Sequence, residues 1–210
     1  MIPKTIQQKL EEGRQYRAVI EVRAAEDTED MIVTGYATTF NEPYVLYEMD
    51  GYTVREQIDA GAFNETDMSD VIMQYDHEGR VFARTSNGTL SVKPDNHGLF
   101  IRANLGGTEM GRQLYEEIKG GYTDKMSFGF TVDKDVRNST QTEEGYDILR
   151  TITSIRKLYD VSAVSLPANN ATEISARAYG EGVIAEAAEE RRKVAERERS
   201  KQKIKILLEV

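Results

Sequence analysis

The stretch Lys125-Met126-Ser127-Phe128-Gly129-Phe130-Thr131-Val132-Asp133 decides the fold class. Its large apolar residues, Met126, Phe128, Phe130 and Val132, recur at every second position. In an extended chain they share one face, and Ser127, Gly129 and Thr131 share the other. A rigid strand of this kind can hold a hydroxyl in place, and Gly129 beside it leaves room for a second backbone to approach. The same pattern also fits an ordinary half-buried strand with a polar outer face.

Just upstream, Thr108 can cap a helix in which Met110, Leu114, Tyr115 and Ile118 fall at helical spacing, and Gly120 and Gly121 can end it. Further out, period two returns. Tyr16, Ala18, Ile20 and Val22 alternate with Arg17, Glu21 and Arg23, and residues 31–38 form a second strand that makes a hairpin with the first across the acidic turn at 24–30. More strands are predicted at 53–58, 71–76, 89–93, 99–105, 146–155 and 158–166. Asp95, Asn96, His97 and Gly98 supply the tight turn between the strands at 89–93 and 99–105. The reading is a mainly β fold with helices, closed or partly closed into a β-barrel because closure removes exposed sheet edges.

The ends differ from this body. Residues 1–15 are a polar N-terminal segment whose helix-compatible part is too short to be stable without a partner surface. The body spans 16–178, and 179–210 is a charged helical tail with Glu189-Glu190-Arg191-Arg192 at its centre and Ile204, Ile206, Leu207, Leu208 and Val210 at its end. Such a tail reads as a solvated extension or docking segment, so deleting 181–210 is expected to leave the fold intact.

With 210 residues and a formal net charge of −9, the chain lacks the clustered basic surface of a nucleic-acid reader, and no nucleic-acid partner is expected. Having no cysteine, it has no disulfide, zinc-thiolate or thiolate chemistry, so a nucleophile must be oxygen or amine. No metal-ligand spacing or phosphate-cradling loop occurs, and no metal or cofactor is expected. No apolar run of signal-peptide length, or of the roughly 20 residues needed to span a bilayer, is seen. The protein is expected to be soluble, made in a cytoplasm, and without a membrane partner.

Only two histidines can serve Ser127 as a base. His97 falls in a polar turn, where a solvated role is the ordinary one. His77 ends the strand whose face also carries Val71, Met73 and Tyr75, at the rim of a packed sheet, although a purely structural histidine fits that place too. Asp160 lies in the apolar run Leu158-Tyr159-Asp160-Val161-Ser162-Ala163-Val164, where a lone carboxylate would be costly. It could orient an imidazole, or pair with a cation such as Arg156.

Taken in order, these segments resemble the prohead maturation proteases of tailed bacteriophages from about Tyr16 to Arg177. The matching stretches are Gly35-Tyr36-Ala37, Phe40-Asn41-Glu42-Pro43, Gly61-Ala62-Phe63, Asp76-His77, Gly88-Thr89-Leu90, Gly98-Leu99, Met126 to Phe130, Asp160 to Val164, and Pro167-Ala168. Ala60, before Gly-Ala-Phe, and Asn169-Asn170 depart from the family pattern. The resemblance implies a barrel of the herpesvirus assemblin type, with Ser127 as nucleophile, His77 as general base and Asp160 as third member. Gly129 and Phe128 are expected to contact substrate. The implied activity is that of a serine endopeptidase that cuts scaffold segments of the major capsid protein, and itself, inside the assembling prohead in the host cytoplasm. A homo-oligomer is expected. Two other readings remain open: a non-catalytic internal capsid scaffold built on the same barrel, and a barrel that holds a small ligand near His77 and Gly129.

Overall fold

Alternating apolar residues become strands wherever the sequence predicts them, and two further strands join them. A computed structural model describes residues 4–25, 30–143, 145–165 and 170–208. In chain order the elements are α1 (Lys4–Glu11), β1 (Gln15–Ala24), β2 (Ile32–Thr39), β3 (Tyr44–Met49), β4 (Tyr52–Ile58), β5 (Ile72–Tyr75), β6 (Glu78–Arg84), β7 (Leu90–Pro94), β8 (Gly98–Asn104), α2 (Glu109–Lys119), β9 (Lys125–Gln141), β10 (Tyr146–Val164) and α3 (Asn170–Leu208). Turn residues 26–29, together with Leu166, Pro167, Ala168 and Val210, lie outside the described residues. The strands missing from the sequence reading are β3 and β6. Both are short and rich in charged or tyrosine residues, so they lack the clean apolar alternation of the others.

The chain is mainly β with a few helices, but its pairings do not close into a barrel among the described residues. The order is β3-β4-β10-β9-β1-β2-β8-β7, with the β5–β6 hairpin attached to β10. Two features branch and bend the sheet instead of returning it on itself. β10 runs 19 residues, long enough to pair in parallel first with β4 through 146–152 and then with β5 through 160–163, while β9 follows its other edge. β1 pairs with β9 up to Glu21, across an irregularity between Ala18 and Ile20, and from Val22 pairs with β2. The open edge at β3 is partly covered by α3, whose Gly180 approaches Tyr47 so closely that a Cβ there would overlap the ring.

Met126, Phe128 and Phe130 of β9 are fully buried and join Val161 and Ala163 of β10 in the main core, as period two requires. Thr108 caps α2 by accepting a hydrogen bond from the Gly111 N–H at 3.0 Å, and Leu114, Tyr115 and Ile118 bury that helix's inner face. Met110, at the same predicted spacing, is exposed.

A buried charged network ties the branches together. Glu56 of β4 accepts from Arg17 Nε at 2.5 Å and from Arg150 Nη1 at 2.7 Å, and Tyr44 Oη donates to it at 2.6 Å. Burial works against the Glu56 charge, but Arg17 and then Arg150 outweigh it and hold the carboxyl at about 2. Because that value lies below the ordinary carboxylate range, the stabilisation is complete above the unfolded-state pKa and disappears as pH falls toward about 2. Glu56→Gln removes the carboxylate charge facing buried Arg17 and one of the two carboxylates on Arg150, which keeps Asp135 at 2.6 Å. We expect it to destabilise the fold by about 3–5 kcal/mol at pH 7, with the gap to wild type narrowing below pH 4. Urea titrations at the two pH values check this, and equal midpoints at pH 7 would contradict it.

The tail does not separate from the body where its composition changes. Val183 and Ile184 of α3 are buried against Val54 and Ile148, forming a second small core, and the Tyr179 ring lies 3.9 Å from the Arg150 guanidinium. Exposed positions dominate only beyond about residue 188. This packing argues against the expectation that residues 181–210 contribute little: charge-rich composition hides a two-residue apolar contact worth roughly 3–6 kcal/mol. A chain ending at Arg192 should melt like the full chain, whereas one ending at Gly180 should melt well below it. Thermal unfolding of the two truncations makes the comparison.

Candidate active site

Ser127 occupies the middle of β9, flanked by Ala18 of β1 on one side and Ser162 of β10 on the other. Asp160 reaches the same face only through an irregularity. Leu158 pairs with Phe130 on the core face, and an unbroken register would put Asp160 opposite Phe128, on that face too. One extra residue, Tyr159, shifts the register so that Asp160 pairs with Gly129, and its carboxylate then lies over Gly129, on the face that also carries Ser127.

His77 arrives from the far side of β10. β5 and β6 are joined by the two residues Asp76 and His77, with Tyr75 opposite Glu78. Both linking residues have positive φ, 49° and 62°, as a two-residue type I′ hairpin turn demands. Asp and His are among the non-glycine residues that tolerate this region best. The sequence reading has His77 at the end of a strand, whereas it is the second residue of a turn.

The imidazole bridges the other two groups, with Nδ1 2.5 Å from Asp160 Oδ1 and Nε2 2.6 Å from Ser127 Oγ. Burial disfavours the Asp160 charge, but the imidazole and the Ser162 hydroxyl, which donates to Oδ1 at 2.8 Å, outweigh it and hold the carboxyl below its ordinary range. An ionised carboxylate only accepts, so Nδ1 must carry the proton that faces it. In the neutral ring Nε2 is then an acceptor for the Ser127 hydroxyl. Arg156, the alternative partner for Asp160, pairs instead with Asp133 at 3.5 Å.

Tyr16 completes the surroundings: its ring centroid lies 4.4 Å from that of His77, and burial followed by the Asp160 charge pushes its phenol pKa up, so the hydroxyl stays neutral. From α1, Lys9 Nζ donates to the His77 carbonyl at 3.0 Å. Ser127 and His77 have no exposed surface and Asp160 has 1%, so the hydroxyl does not look onto an open cleft.

The substrate contacts expected of Phe128 and Gly129 do not match where these residues lie. Phe128 is fully buried in the core, stacked on Phe130 with centroids 4.5 Å apart. The space above Gly129 is filled by Asp160 Oδ2 and by Tyr16, whose Cε1 would stand 2.9 Å from an added Cβ. His97 is exposed in its turn, edge-on to Tyr36. Sequence reasoning missed Ser162 and Tyr16. Ser162 was within reach, since it lies two residues from Asp160 on one strand, but Tyr16 needs the β1–β9 register. No group of three or more His, Asp or Glu suited to a metal is found among the described residues.

Residues 18–183 match the family described as caudovirus prohead serine protease. The chain belongs to that family. No curated protein and no solved structure matches it. The match begins after Arg17, so α1 and Tyr16 lie outside it. No helix among its described residues is long and apolar enough to cross a membrane.

Gly129→Ala tests the tight fit at the site. Its methyl group must displace the Asp160 carboxylate or the Tyr16 ring, and if Asp160 orients His77 for catalysis, as proposed below, a shift of about 1 Å costs about 10²-fold in rate. We expect about a hundredfold loss of turnover in a chain that still folds. Turnover near wild type, measured beside a normal melting curve, would show that the site absorbs the methyl group.

Proposed function

We propose that Ser127, His77 and Asp160 are the catalytic triad of a serine endopeptidase that cuts scaffold segments of the major capsid protein, and its own chain, inside the assembling prohead. The observation that carries this reading is the single imidazole held between a buried carboxylate and a serine hydroxyl, in a chain of the prohead serine protease family. In the mechanism, His77 Nε2 takes the Ser127 proton as Oγ attacks the peptide carbonyl. The Asp160 charge stabilises the imidazolium, which then protonates the leaving amine. Water, activated by the same imidazole, hydrolyses the acyl-enzyme and restores Ser127. The chain would act as a homo-oligomer in the host cytoplasm, within the shell.

The test is co-expression with the major capsid protein of the same phage, followed by intact-mass measurement of both chains. The expected result is a truncated capsid protein and a shortened protease. Capsid protein and protease that both stay at full mass, in a preparation whose Ser127 also resists a fluorophosphonate, would favour the non-catalytic scaffold.

A further inference from the structure

Asp76 is not one of the three reacting groups, yet its contacts fix where one of them stands. Its N–H donates to the Ala163 carbonyl at 3.0 Å. Its carboxylate accepts from the Ser165 N–H at 3.1 Å and from the Ser165 hydroxyl at 3.0 Å. Ala163 is in β10 and Ser165 is the first residue past its end, so one bond ends on the strand that carries Asp160 and two end just beyond it. The adjoining residue is His77, with φ of 62°, in a turn of two left-handed residues that needs outside support.

We propose that Asp76 is a positioning residue, which ties the turn bearing His77 to the end of the strand bearing Asp160 and so sets the imidazole between Asp160 and Ser127. The proposal rests on the triad reading above. The clamp is distinct from the turn's conformational demand: left-handed φ could be met by glycine, but only a side chain with an accepting oxygen reaches Ser165. Its hydrogen bonds are solvent-exposed and so add little to global stability, whereas misplacing a general base by about 1 Å can cost 10²-fold in rate.

The test compares Asp76→Gly, which keeps the backbone unstrained and removes the carboxylate, with Asp76→Asn, which keeps both left-handed tolerance and an accepting oxygen. Inactivation by a fluorophosphonate gives a maximal rate and a half-saturation concentration without a known peptide substrate. The downfield proton resonance of His77 Nδ1–H reports imidazole placement independently of reactivity. For Asp76→Gly we expect a 10–100-fold lower maximal rate at unchanged half-saturation, a shifted or broadened Nδ1–H resonance, and a melting temperature within a few degrees of wild type. Asp76→Asn should return the rate to within about threefold. If Asp76→Gly does not fold, Ser165→Ala, which removes one donor and leaves the turn untouched, should lower the maximal rate severalfold. Wild-type rate and resonance in Asp76→Gly, or in Ser165→Ala where Asp76→Gly does not fold, would overturn the proposal. Failure of wild-type Ser127 to react would sink the triad reading instead, and the resonance shift alone would then decide the role of Asp76.

Discussion

Replacing Ser127 with alanine is expected to eliminate cleavage, lowering turnover by at least about 10⁴-fold, because no acyl-enzyme can form without the attacking oxygen. The fold should survive. Ser127 is fully buried between Ala18 and Ser162, and the change removes one oxygen without adding volume. It leaves His77 Nε2 short of its partner, which costs about 1–3 kcal/mol and lowers the melting temperature by several degrees. Intact mass of the co-expressed capsid protein reads the activity, and circular dichroism reads the fold. Cleavage with a wild-type time course would remove Ser127 from the role of nucleophile.

The second large effect separates the two histidines. His77→Ala should lower turnover by several orders of magnitude, since it removes both the proton acceptor for Ser127 and the donor to Asp160. It should also destabilise the chain, because Asp160 is 99% buried and would keep a charge with, among the described residues, Ser162 alone donating to it. The Asp160 carboxyl lies below its ordinary range in the native state, so the stabilisation it draws from His77 is present at neutral pH and fades in acid. The stability gap between His77→Ala and wild type should therefore close as pH falls. His97→Ala removes an exposed ring whose one aromatic contact is edge-on to Tyr36 at 4.6 Å, and should change activity less than twofold. Parallel assays and melts of the two variants give the ranking, and the reverse order would overturn the assignment of the base.

Period two made much of this molecule legible before any coordinates. Met126, Phe128 and Phe130 point inward because alternation requires it, and Ser127 and Gly129 share the opposite face for the same reason. Alternation describes faces within one strand, however, and says nothing about which strand lies alongside or in what register. The extra residue at Tyr159 turns Asp160 from the core face to the Ser127 face, and the sequence carries no mark of it. Nor does it mark the pairing that brings Tyr16 against Gly129. The Arg17–Glu56–Arg150 network was invisible for a related reason: each residue reads as an ordinary polar position on its own strand, and only the branching of the sheet buries them together. Closure into a barrel was inferred from the cost of free edges, and the chain limits that cost at β3 with a helix.

The complete burial of Ser127 has a kinetic meaning. In the proposed mechanism a hydroxyl with no accessible surface reacts only from an opened form, so each observed rate would be the intrinsic rate multiplied by the fraction of molecules that are open. An opening that costs about 2.8 kcal/mol leaves roughly 1% of molecules competent and slows cleavage about a hundredfold. Any binding partner that prefers the opened form would recover that factor in proportion to its preference.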